Sequence, residues 1–146
     1  MIVAGRNRQS RPVPGGRTLR RIAEVAFVAT GQGPGVVGVA FVDDAQMTVF
    51  HRDFLHRSMT TDVLSFPRAA DGADEEDRDY RGDVIVCTDQ AARQSRDLEI
   101  PYLAELVVLT LHGILHLLGY DHTCDSGEMT RLEETLRPVA LRGGFR

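Results

Sequence analysis

The sequence of 146 residues contains no lysine: its 17 basic side chains are all arginine, 21 are acidic, and the net charge is −4. A negative sum does not mark the chain as a nucleic-acid binder, so any basic surface has to come from uneven distribution. Cysteine is scarce. Cys87 and Cys124 could form at most one bridge, which excludes a disulfide framework. No apolar run reaches the ~18 residues of a membrane-spanning helix. The arginines near the N-terminus are not followed by an apolar stretch, which excludes a secretory signal and makes the cytoplasm the expected location. The length suits one domain over residues 1–146, long enough to bury a core.

Charge is indeed unevenly placed. Arg6, Arg8, Arg11, Arg17, Arg20 and Arg21 all precede the first acidic residue, Glu24, while Asp71 to Asp79 form an acidic pole. Such runs are usually solvated faces, although the first would also suit phosphate.

Three of the five histidines fall in Leu111-His112-Gly113-Ile114-Leu115-His116-Leu117-Leu118-Gly119-Tyr120-Asp121-His122. On a helix, His112 and His116 lie one turn apart on the same face. The preceding stretch from Leu103 is apolar apart from Glu105 and Thr110, as in a helix buried on most sides. Gly119 stands where helices commonly end in a left-handed turn, from which His122 can return toward the pair. A lone histidine in an apolar helix is usually a satisfied core residue. Two on one face would bury two costly polar groups together, and a shared cation accounts for both. Three imidazoles with an open fourth position are the pattern of a catalytic zinc site. Cys124 is close by but unnecessary to that set.

The rest of the chain alternates strand and helix patterns, giving an α+β fold with a small mixed sheet packed by helices around a central zinc-binding HxxxH helix. Residues 1–17 read as loop-rich, with a hint of strand at Ile2 and Val3. Helical spacing runs from Thr18 to Thr30, and Val36 to Val42 is a β-branched strand. Asp43-x-x-Gln46 starts a helix that gives out near His56. Strands follow at Thr61–Pro67 and Asp83–Cys87. Thr88 is expected to cap a helix to Leu98, Pro101 to open the histidine helix, and Asp125-x-x-Glu128 to cap a last helix that Pro138 kinks or ends.

The spacing H-x3-H-x2-G-x2-H is shared with metzincin proteases, but Gly113 replaces the glutamate that serves them as general base. The residues resemble more closely the YbeY endoribonuclease family, whose H-G-x-L-H-L-x-G-Y-D-H signature is met by His112 through His122. The family's T-[DN]-V-L-S-F-P is present as Thr61–Pro67, its G-D-[IV]-x-[IV] as Gly82–Val86, and its M-x(3–4)-E as Met129 and Glu133. Upstream, the family's L-N-x-x-[YF]-R falls on Phe50, His51, Phe54 and Leu55. The arginine is lost, and Arg57 or Arg52 is left to take its role.

The resemblance implies a metzincin-like fold, one Zn²⁺ per chain on His112, His116 and His122, and cleavage of single-stranded RNA. It further implies maturation of ribosomal RNA, especially the 3′ end of the small-subunit RNA, ribosome quality control, and the small subunit or assembly factors as partners, with no DNA or membrane. Arg57 and Asp121 are the candidate catalytic residues, Asp121 more as a partner to a ligand histidine. Thr61, Ser65 and Arg52 are candidates for substrate contact. Two other functions share these features: a metalloprotease with a displaced base, and a ribosome-assembly factor whose zinc is structural.

Overall fold

The computed structural model describes residues 2–7 (backbone only), 9–33, 35–53, 62–68, 79–120 and 126–145. Its elements are β1 (Ile2–Asn7), α1 (Gly16–Ala29), β2 (Val36–Val42), α2 (Asp44–Asp53), β3 (Val63–Pro67), β4 (Tyr80–Cys87), α3 (Thr88–Leu98), α4 (Tyr102–Leu117) and α5 (Glu128–Leu141). The fold is α+β. The sheet is mixed, in the order β1-β2-β4-β3, with β1, β2 and β4 parallel and β3 antiparallel on the edge beside β4.

Strand alternation divides the core. Val37, Val39 and Phe41 of β2, Val63 of β3, and Val84 and Val86 of β4 point to the face covered by α1, α4 and α5. Val42, Leu64, Ile85 and Cys87 point to the other face, where Met47 of α2 joins them. The apolar stripe of α1 (Leu19, Ile22, Ala23, Ala26, Phe27) is buried on the first face. Helix α4 is the hub. It packs against α1, α3, α5, β3 and β4, which is why its sequence is apolar nearly all round. Among the described residues no single helix is long and apolar enough to cross a membrane.

Several local expectations need correction. Residues 1–17 are not all loop, because β1 extends to Asn7 and pairs along its length with β2. Parallel pairing uses backbone groups, so Gly5, Arg6 and Asn7 are held in a strand their side chains do not advertise. Thr88 is the first residue of α3 and not its cap. Its hydroxyl donates to the Val42 carbonyl at 3.1 Å, inside the sheet-to-helix junction. Gly127 is the cap of α5, so Glu128 opens the helix instead of occupying the third position a capping box requires. Pro138 does not end α5, which continues to Leu141. Both Pro138 and Glu134, whose carbonyl loses its partner to the ring, are exposed, so water can satisfy that oxygen.

Other expectations stand. The Asp43–Gln46 capping box forms in both directions, with Gln46 N–H donating to Asp43 Oδ1 at 2.9 Å and Asp43 N–H to Gln46 Oε1 at 3.0 Å. The end of α2 near His56 lies outside the described residues, as do most of the acidic pole, Cys124 and Asp125. Of the N-terminal arginines whose side chains are described, two are committed to the fold. Arg11 pairs with Asp89 at 2.9 Å, and Arg21 Nη2 donates to the carbonyls of Ala140 at 3.0 Å and Gly144 at 2.7 Å, closing the C-terminal end of α5.

Candidate functional site

Helix α4 ends as its sequence requires. Leu118 is the cap and Gly119 follows with φ +99°. Gly119 N–H donates to the His116 carbonyl at 3.0 Å and Tyr120 N–H to the Leu115 carbonyl at 3.1 Å, the paired bonds of a Schellman turn. Tyr120 is half-buried against the core cluster that contains Leu115. From α1's side, Gln32 Nε2 donates to the Leu118 carbonyl at 3.1 Å and ties down the turn.

On this helix end the two histidines converge. His112 Nε2 and His116 Nε2 are 3.0 Å apart, with ring centroids at 4.6 Å. Two imidazole nitrogens at 2.0–2.1 Å from a tetrahedral cation would stand about 3.3 Å apart. The pair therefore fits two corners of such a site with little adjustment; without a cation, one Nε2–H donates to the other. His112 Nδ1 meets Glu133 Oε1 of α5 at 2.5 Å, and the two side chains retain only 23% and 14% of their exposure. A carboxylate behind a histidine is the usual support for a metal ligand. Among the described residues, no group of three metal-ligating side chains gathers. His122, the expected third ligand, lies outside the described residues together with Asp121, Arg57 and Thr61.

Gly113, between the two histidines, faces the sheet. A Cβ there would sit 2.5 Å from Val84 Cγ1 and 3.1 Å from Val63 Cγ2. The residue is glycine because α4 needs that close approach, and a glutamate has no room at this position. Ser65 is buried directly beneath, its hydroxyl donating to the Gly113 carbonyl at 2.8 Å. This expected substrate contact thus binds β3 to the histidine helix. Arg52 is in the last described turn of α2, with a side chain 72% exposed and 3.9 Å from Asp53.

Sequence reasoning did not place Glu133 or Gln32 at the site. Glu133 had a signal in its family-like spacing from Met129, but nothing in that spacing says which residue it meets. Gln32 had none, since its contact joins positions 86 residues apart.

A model of the family described as Endoribonuclease YbeY matches residues 17–138. The protein called Endoribonuclease YbeY from Geobacter sulfurreducens is 35% identical over 140 residues, covering 95% of this chain and 93% of its own. Its namesake from Geobacter metallireducens is 34% identical over the same shares. The solution structure of TM1509 from Thermotoga maritima superposes with a TM-score of 0.62 at 22% identity, covering 96% of this chain and 89% of that one, a likeness of fold.

Proposed function

Since this chain belongs to the endoribonuclease YbeY family, we propose that it is a zinc-dependent endoribonuclease that cuts single-stranded RNA. The proposed setting is the cytoplasm, in maturation of ribosomal RNA at the small-subunit 3′ end and in ribosome quality control, alongside the small subunit or its assembly factors. The observation that carries the metal centre is the pair of imidazole nitrogens 3.0 Å apart on α4, one with a carboxylate at its back.

His112 and His116 would hold the ion with His122, which follows the turn at Gly119, giving the metzincin-like helix-and-turn arrangement. When bound, Zn²⁺ supplies Lewis acidity at neutral pH and offsets charge on a phosphoryl oxygen. The remaining work falls to the chain. The Schellman turn and Gln32 fix the end of α4, and the close packing at Gly113 fixes the helix to β3 and β4. An arginine in the segment after α2, Arg57, would bind phosphate with its planar fork. Asp121, beside a ligand, is assigned to orienting it. RNA brings a potential nucleophile of its own in the 2′-hydroxyl, so the absent glutamate at position 113 is less of a loss than it would be for a protease.

The test is metal analysis of purified protein joined to cleavage assays on RNA and on a casein-like peptide. About one zinc per chain is expected, released by His116→Ala, with RNA cut and peptide intact. Zinc-dependent peptide cleavage without RNA cleavage would reverse the assignment toward a protease. Zinc retained in a His112→Ala, His116→Ala double variant would place the metal elsewhere.

A further inference from the structure

We propose that Glu133 is a positioning residue, which fixes His112 in the tautomer that leaves Nε2 bare and aims that nitrogen at a cation shared with His116. The inference rests on the metal-centre reading above and deepens it.

A neutral imidazole has one N–H and one bare nitrogen, and its neighbours decide which is which. An ionised carboxylate only accepts hydrogen bonds. With Glu133 Oε1 at 2.5 Å from Nδ1, the hydrogen belongs on Nδ1. Nε2 is then bare on the side where His116 Nε2 waits at 3.0 Å. An imidazole without such a partner favours the opposite tautomer in water and would present N–H where a lone pair is needed. Glu133 therefore removes a rearrangement that ion binding would otherwise require at His112.

The carboxylate is held by more than its own bond. Met129, fully buried, lies one turn before it on α5, and Leu136, 6% exposed, lies three residues after. Both are in the core cluster that contains Leu111 and Leu115 of α4. The helix face that seats α5 on α4 is the face that delivers Glu133. Its neighbour Glu134 is exposed and provides an internal control. Because the Glu133 oxygen is engaged at Nδ1, it lies across the ring from Nε2, so its role is orientation of the ligand.

The experiment compares the native chain with Glu133→Gln, Glu133→Leu and Glu134→Gln. Zinc dissociation constants are measured by competition with a chromophoric chelator. The His112 tautomer is read from long-range proton–nitrogen NMR of the metal-free proteins. Glu133→Leu is expected to weaken zinc binding by up to about a hundredfold and to move His112 toward the Nε2–H form. Glu133→Gln, whose amide oxygen can still accept from Nδ1–H, should keep the native tautomer and lose roughly tenfold in affinity. Glu134→Gln should match the native protein. Native zinc affinity in both Glu133 variants overturns the inference while leaving the metal centre intact, as does a native His112 tautomer in Glu133→Leu. A native protein that binds no zinc overturns the metal-centre reading and this inference with it. If the leucine variant fails to fold, Glu133→Ala, which also lacks an acceptor, takes its place, and a native His112 tautomer with native zinc affinity in that variant overturns the proposal.

Discussion

Glu105 is buried in the first turn of α4, 5% exposed, and burial raises its carboxyl above the ordinary value of 4.5, with Asp62 pushing the same way and Arg137 opposing. A carboxyl whose pKa rises on folding favours the fold fully below its unfolded value, and that contribution is lost as pH climbs through the folded value. At neutral pH this buried carboxyl is therefore a cost. Glu105→Gln should raise the urea midpoint at pH 7, and the gain should vanish near pH 4. A variant less stable than the native chain at pH 7 would show that the ionised carboxylate is stabilising. Cys87 behaves similarly in one respect: burial, with Asp44 adjacent, lifts its thiol to about 11 and keeps it protonated at physiological pH.

At the scale of elements, the decisive contact is α4 on β3 and β4 at Gly113. Gly113→Ala gains helix propensity worth up to about 1 kcal/mol. It also drives a methyl to 2.5 Å from Val84, a fully buried side chain with little freedom to retreat. Overpacking of this kind costs roughly 1–3 kcal/mol, so the clash should win and thermal unfolding should come several degrees earlier. An unchanged or raised midpoint would mean that the helix can lift off the sheet at no cost. The elements themselves were readable where side chains and backbone agree. Val36–Val42 is a strand by pattern and by pairing, and Asp43 with Gln46 makes the cap its spacing announces. Failure came where backbone geometry decided alone. β1 is held by its neighbour, Gly127 takes the cap that Asp125 and Glu128 suggested, and Pro138 is tolerated because its side of α5 faces water. At the site, the histidine pair was legible because its i, i+4 spacing is local. The Glu133 and Gln32 contacts were not, since each joins elements distant in sequence.

Across the whole molecule, the open question on the proposed function is what grips phosphate. Arg11 and Arg21 are occupied in holding the fold together, and Arg57, two residues past the position of the arginine lost at Leu55, is the candidate that sequence offers to replace it. Arg57→Ala should weaken RNA binding, reduce the slope of log affinity against log salt by about one, and leave zinc content unchanged. Arg52→Ala, at an exposed position on α2, serves as the comparison. Equal small effects from the two would move the search to the basic N-terminus, where Arg17 and Arg20 are exposed on α1.

Among the described residues the histidine helix is clasped by three helices and two strands. Its position is set by apolar contacts that owe nothing to an ion, unlike small metal-nucleated domains that unfold when stripped. On the proposed function, a cell short of zinc would still accumulate folded, protease-resistant chains. Scarcity would lower activity without lowering abundance, and a returning supply would restore it without new synthesis.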